Sequence, residues 1–400
     1  MIQPLHIRGA HIWNGSSLKE WTTQRDLYTT DVVTDQPAND ALTVDLDGYT
    51  IFPGLINAHD HLELNHYPRS KFRDKYDNAH QWGEDMNARL DTEPYKSLRA
   101  YPLWDKLFIG GLKNLLCGAT TVAHHNPLHK YLKWNDFPVN VLQKYGWAHS
   151  LHFSTDEEIQ RSYKRTPKHI PWFIHLAEGT DETASEEYQR LKQLGCIGEN
   201  SVLIHGVGLT PEDVYDAVQH VRGLVWCPST NIYLLGKTSP YIQYTYADRP
   251  TWRGAAKGCN IALGSDSRLT ADGDLLHEMR AANMTSQCDG GCVEEAVWER
   301  AAHILGLTNV GHLSVGANAD WIANFDRERA GLALVVKGGV PQIGDPDVMA
   351  KFPHIQTVAA TLDGQPKRIQ LDLAHRIHQN QLKEPGLEVD ELPKRKFVLW

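Results

Sequence analysis

The sequence predicts an α/β protein in which a long run of alternating strands and helices is framed by two β-rich chain ends. Three observations carry this reading. From Ile51 to about residue 308, short apolar runs (TIFPGLINAH, ATTVAHH, WAHSLHF, WFIHLAE, SVLIHG, LVWCP, NIALGSD) alternate with amphipathic stretches such as SEEYQRLKQLG and PEDVYDAVQHVRG. Residues 1–53 and 309–365 hold short alternating segments broken by turns, among them IRGAHIWNG and LALVVKGG. Several of the central apolar runs end in a histidine or an acid. Strand–helix alternation over about 250 residues is the pattern of a parallel sheet, and its usual single-domain closure is a (β/α)8-type TIM barrel. Each end is too short for a core of its own. The ends 1–53 and 309–365 are therefore expected to pair into one small β-sandwich, with the barrel, 54–308, inserted between them. Residues 366–400 read as a C-terminal helix and polar tail.

Composition narrows the function classes. The 400 residues are 41% apolar and 22% charged, which suits a soluble globule and not a disordered chain. The formal charge of −9, with no basic stripe, argues against nucleic-acid binding. No apolar run approaches the ~18 residues of a membrane span. The start, MIQPLHIRGAHIWNG, lacks the features of a signal peptide, so a cytoplasmic location is expected. The six cysteines are too sparse for a disulfide framework, and Cys288 and Cys292, alone in a C-x3-C spacing, read as unconnected thiols. No internal repeat is visible. Histidine, at 21 residues, is the unusual count. It is the commonest metal ligand and titrates near neutral pH.

Position gives these histidines meaning. The first barrel strand carries His59 and His61 as H-x-H, and a two-residue step on a strand puts both on one face. Asp60 between them points the other way. The second run ends in His124 and His125, WFIHLAE gives His175 and Glu178, SVLIHG gives His205, and NIALGSD gives Asp266. In a parallel barrel the C-terminal strand ends meet at one face, so residues 200 positions apart converge. Three histidines and an aspartate suit one divalent ion, zinc with iron as the alternative, and leave a position open for water. Such an ion lowers the pKa of water from 15.7 to about 7. Hydrolysis also needs a base for the water proton and an acid for the leaving group, and Asp266 and Glu178 are the natural pair. A lone strand-end histidine is more often structural than a ligand, so both readings stay open for His124, His125, His149 and His152. The ordered set of H-x-H, H-x-x-E, H-G and G-S-D, each closing an apolar run, is the metal signal.

These residues resemble the amidohydrolase superfamily, in its branch of cytosine deaminase, guanine deaminase and the triazine hydrolases. FPGLINAHDH, GGLKNLLCGATTV, IHLAEG, LIHG, WCPSTN, LGSDS, LLHEMRAAN and VGHLSVGANADWI carry the resemblance over residues 44 to 322. It implies a sandwich plus barrel, commonly assembled as a dimer or larger homo-oligomer. It further implies that His59, His61, His175 and Asp266 hold one metal ion, and that Asp266 takes the water proton. Glu178 would protonate the substrate nitrogen, and His205 would stabilise the developing oxyanion. Asn231, Ser267 and Arg268 would lie beside the substrate. His125, from its place at a strand end and not from the resemblance, is expected as a further substrate contact. The chain departs from the family pattern in two ways. Seven barrel strands are legible where the family has eight, because only one helix fits between His152 and Trp172. Lys164 and Lys168 there sit in a polar context, which favours one metal over two. The other departure is Glu63 in H-D-H-L-E, which faces the substrate if the strand persists and is solvated if it has ended.

The leading expectation is a metal-dependent hydrolase of a small, cyclic, nitrogen-containing molecule, with deamination favoured. Opening of a cyclic amide or amidine is the alternative. Attack on a carbon–halogen or phosphoester bond and a non-catalytic scaffold are the remote ones. Long inserts at 63–103 and 229–256, with Tyr67, Arg69, Trp82, Tyr233, Tyr241 and Tyr244, and Trp104 just beyond the first, either line the pocket for a flat ring or pack the loops.

Overall fold

The computed structural model describes residues 2–13, 15, 22–242, 260–288 and 290–392. The chain forms two compact units, Met1–Gly54 with Leu115–Thr120 and His312–Trp400, and Leu55–Asn114 with Thr121–Gly311.

In the first unit the chain ends pair directly: Thr50–Pro53 lies antiparallel to Trp321–Ala323. These strands belong to a nine-stranded sheet, and Leu5–Arg8 is central to a separate sheet of four. Period-two alternation explains the core. Leu5 and Ile7 are buried while Arg8 is exposed. One apolar cluster takes Leu5, Ile7 and Val44 from the small sheet and Ile12, Trp321 and Leu334 from the large one. The large sheet runs on past residue 365, through Gln365–Gln370, and takes in Leu387–Val389 at its edge. Of the expected C-terminal helix and tail, Leu371–Gln379 is helical, and 393–400 lie outside the described residues.

The second unit is α/β with parallel sheets. Its strands are β1 (Leu55–Asp60), β2 (Ala119–His124), β3 (Asn140–Val141), β4 (Gly146–Ser150), β5 (Trp172–Leu176), β6 (Ser201–His205), β7 (Gly223–Trp226) and β8 (Ile261–Leu263). They are ordered β3-β2-β1 in one sheet and β4-β5-β6-β7-β8 in the other, which is parallel throughout. The Asp266 amide donates to the His59 carbonyl at 3.0 Å, tying the end of β8 to β1. Gly264 is needed at that approach, since a Cβ there would stand 2.6 Å from the His59 Cβ. The strand that sequence reading could not place lies upstream of its expected position. It is the two-residue β3, paired to β2 and separated from β4 by four residues without a helix, whereas the stretch after His152 holds only a helix.

Helices α1 (Ala79–Asn87), α2 (Tyr95–Arg99), α3 (Leu103–Leu116), α4 (Asp156–Arg165), α5 (Glu182–Gln193), α6 (Pro211–His220), α7 (Pro228–Leu235) and α8 (Leu275–Met284) accompany these strands. Local chemistry sets their starts. Asp181 caps α5 by accepting from the Ala184 amide, and Thr210 with Asp213 forms a capping box before Pro211 on α6. No helix among the described residues is long and apolar enough to cross a membrane.

Candidate active site

The strand ends of the second unit bring the predicted ligands together. His175 Nε2 lies 3.3 Å from His59 Nε2 and 3.4 Å from His61 Nε2. Asp266 Oδ1 stands 3.9 Å from the Nε2 of both His59 and His61. Two ligands each bound at 2.0–2.1 Å to a tetrahedral zinc lie about 3.3–3.4 Å apart, so the nitrogen spacing suits a shared ion. The tautomer agrees. His175 Nδ1 donates to the His149 carbonyl at 2.8 Å, which leaves a lone pair on the Nε2 that faces the other two rings. Burial, reinforced by neighbouring imidazoles, holds His59 and His175 well below the usual histidine range, in the neutral form that ligates. Three imidazole nitrogens and a carboxylate oxygen converging in a buried site form a donor set that fits a divalent metal.

The expected acid, Glu178, stands beside this cluster, and the expected base, Asp266, belongs to it. Glu178 Oε1 is 3.5 Å from His205 Nε2. Burial, then the charges of Asp266 and Glu187, push the Glu178 carboxyl well above the usual carboxylate range, which favours its protonated form. His205 Nδ1 donates to Asn231 Oδ1 at 2.9 Å, and burial lowers the ring to about 4. Asp266 is aimed by its neighbours. Its Oδ2 accepts from Thr230 Oγ1 at 3.2 Å and Thr270 Oγ1 at 3.1 Å, and its Oδ1 accepts from the Ser267 amide at 2.7 Å. Ala177, His205 and Asp266 all hold left-handed backbone, with φ of 53°, 72° and 50°, a strain that concentrates where side chains must be aimed.

A cavity of about 390 Å³ opens onto this chemistry. His61, His175, Glu178, His205 and Asp266 line its base, and Trp82, Met86, Leu90, Phe153 and Leu269 its walls. Of the expected substrate contacts, Ser267 lines the cavity. Asn231 stands behind His205, and the Arg268 amide donates to Asn65 Oδ1 at 3.1 Å. Glu63 accepts from Asn126 Nδ2 at 2.6 Å, and His125 packs against His175. Neither they nor Asn231 and Arg268 are among the lining residues. The insert aromatics divide as well. Trp82 faces the cavity, whereas Tyr67 is buried against its own insert, and Arg69 covers the Tyr233 ring at 3.8 Å. Trp104 packs with Phe108 and Trp134. Tyr244 lies outside the described residues.

Two groups escaped sequence reading. Glu187 sits on the buried stripe of α5 with Ala184, Tyr188 and Leu191. Its Oε2 accepts from the Ala177 amide at 2.6 Å, holding the turn that presents Glu178, and its Oε1 is 3.5 Å from His80 Nε2. Burial raises its carboxyl to about 7. An acid at a core position of an amphipathic helix was the available signal. Behind the histidines, Lys113 Nζ pairs with Asp60 Oδ2 at 2.8 Å, both side chains 0% exposed. A lysine inside the apolar LFIGGLKNLL was its signal.

Glu187 yields a test of positioning. Glu187→Ala is expected to lower kcat by about 10–100-fold with KM little changed, the worth of one hydrogen bond to a charged group. Glu187→Gln keeps an acceptor for Ala177 and should recover most of that loss. Equal kcat in the two variants would refute the positioning role.

No family model matches the chain. A 5-methylthioadenosine/S-adenosylhomocysteine deaminase of Desulfitobacterium hafniense (strain DSM 10664 / DCB-2) is 27% identical over 335 residues, 71% of this chain and 74% of that protein. An 8-oxoguanine deaminase of Pseudomonas aeruginosa is 26% identical over 186 residues, 42% of this chain and 39% of that protein. Among solved structures, an atrazine chlorohydrolase from Arthrobacter aurescens TC1 complexed with zinc aligns with a TM-score of 0.67 at 14% identity, covering 88% of this chain and 99% of that one. An adenosine deaminase from Xanthomonas campestris with bound zinc gives 0.63 at 15% identity, over 88% and 96%. At those identities the likeness is one of fold.

Proposed function

We propose that this chain, a relative of the deaminases of the amidohydrolase superfamily, is a metal-dependent hydrolase that replaces an amino group on a nitrogen heterocycle by oxygen and releases ammonia. The observation that carries the reading is the convergence of His59, His61, His175 and Asp266 beside the buried Glu178 carboxyl at the base of one cavity. Within it, the parallel strands β1–β8 act as one distorted barrel, and the paired chain ends as a small β-sandwich.

His59, His61, His175 and Asp266 would hold one ion, zinc as in the two solved neighbours. When bound, it supplies Lewis acidity and makes water acidic enough to act as a nucleophile at neutral pH. The remaining chemistry belongs to the chain. Asp266, held by Thr230, Thr270 and the Ser267 amide, takes the water proton and returns it to the leaving amine. Glu178 delivers its proton to the ring nitrogen next to the reacting carbon, which makes that carbon electrophilic. His205, its Nδ1–H held by Asn231, turns the Nε2 lone pair toward the Glu178 carboxyl at 3.5 Å and orients that acid until its proton passes to the ring nitrogen, and Glu178 is reprotonated by the hydroxyl added to the carbon as the carbonyl forms. Trp82, Met86 and Phe153 suit the faces of a flat ring and keep water from the reacting atoms. The names of the relatives favour an aminopurine ring, free or within a nucleoside.

The test is ammonia release from purified protein offered purines, pyrimidines, triazines, hydantoins and imidazolones. Ammonia from an amino-substituted ring is expected, in proportion to bound metal. A new carboxylate without ammonia would assign ring opening instead. Less than about half an equivalent of divalent metal, in protein purified without chelator, would sink the metal-dependent reading.

A further inference from the structure

A further strand-end histidine, His125, stands where the proposed mechanism does not use it. It follows β2 directly and is 3% exposed. Its Nε2 donates to the Ala148 carbonyl at 3.2 Å. That bond places the ring's lone pair on Nδ1, and Nδ1 is buried with no hydrogen-bond partner. The ring lies 4.3 Å from the His175 ring and 5.3 Å from the His59 ring, centroid to centroid. One ligand atom from each of His59, His125 and His175 falls within 4.8 Å of the others, and the same holds for His59, His61 and Asp266. The metal centre therefore offers two overlapping donor sets, an outer one with a carboxylate and an inner one made only of imidazole.

We propose that His125 is a ligand of a second, inner metal position, formed with His59 and His175, which retains the ion when the outer position is weakened. The inference rests on the metal-dependent reading of the site. Each histidine offers one nitrogen, and His59 and His175 serve both positions, so the positions are alternatives for one ion and not a two-metal centre. Three imidazoles without a carboxylate select zinc, cobalt, nickel or copper over magnesium, calcium or manganese. The orphaned Nδ1 then acquires the partner that a buried polar atom requires.

The experiment compares wild type, His61→Ala, His125→Ala and His61→Ala/His125→Ala, each stripped with chelator, checked for a cooperative thermal transition and titrated with Co2+. Bound metal and the visible d–d absorption of Co2+ are the readouts. Wild type should bind one equivalent. His61→Ala, which breaks the outer set, should still bind one equivalent with an altered spectrum and an affinity about 10–100-fold lower. The double variant should bind at least about 100-fold more weakly than His61→Ala, and His61→Ala/His125→Gln, which preserves bulk, should match it. Equal affinity of His61→Ala and the double variant would overturn the inner position, as would a folded His61→Ala that binds no Co2+. Wild type that binds no divalent metal would instead refute the metal reading itself.

Discussion

Glu178→Gln is expected to retain its metal and lose about 10²–10⁴-fold in kcat, the usual contribution of a positioned general acid. The substitution keeps the shape of the side chain and removes only the proton that it donates. Glu178 has no place among the four converging donors, so metal content should stay at the wild-type value. The pH profile adds a second readout. Burial and the charges of Asp266 and Glu187 raise the Glu178 carboxyl, and the proposed mechanism requires its protonated form. Activity that depends on it is therefore present below its raised pKa and falls as pH rises through that value. The residual activity of Glu178→Gln should lack this alkaline limb. Undiminished kcat in the variant would assign the proton to another group, with His205 at 3.5 Å a candidate.

What was legible in the sequence follows from the range of the interactions that decide each feature. His59 and His61 could be read from period two alone, because one strand sets the geometry of both. Glu178 and Asp266 could be read because each lies within three residues of an apolar run that becomes a strand. Arg268, by contrast, follows Asp266 after one residue, yet a left-handed turn at Asp266 intervenes and the Arg268 amide bonds to Asn65. Proximity in sequence stops predicting position wherever the backbone leaves the strand. Which residues of the first insert face the cavity was hidden for a related reason. Composition shows that an insert is aromatic, but the cavity takes Trp82, Met86 and Leu90 from α1 and the turn after it, and these pack in turn against a cluster that holds Tyr67, Phe72 and Tyr95. The short β3 escaped because two residues carry no period. Glu187 and Lys113 were passed over because a search for apolar stripes discards the polar residue that sits within one. Their partners, Ala177 and Asp60, are visible only once the chain is folded.

The pair behind the metal centre carries the largest expected effect on stability. Lys113 and Asp60 are wholly buried, and their charges are satisfied from several sides. Asp60 Oδ2 accepts from Asn114 Nδ2 at 2.7 Å and Oδ1 from Asn65 Nδ2 at 2.8 Å. Lys113 Nζ also donates to Ser265 Oγ at 3.0 Å and to the Asp266 carbonyl at 3.2 Å. The pair thus joins β1, α3 and the turn after β8, and it steadies the left-handed Asp266 from behind. A buried ion pair adds little over a well-packed apolar substitute, but removal of one partner strands the other charge and costs about 3–5 kcal/mol. Lys113→Met should therefore lower the unfolding free energy by about that amount, seen as an earlier urea midpoint. It should also weaken metal retention, because Asp266 loses the contact on its carbonyl. Lys113→Met/Asp60→Asn removes the stranded charge while it keeps the side-chain shape. The double variant should be more stable than Lys113→Met alone, a coupling that neighbours in one network show and independent sites do not. If the two single losses simply add, the pair does not act as a unit. Lys113 would then be a packing residue that happens to carry a charge.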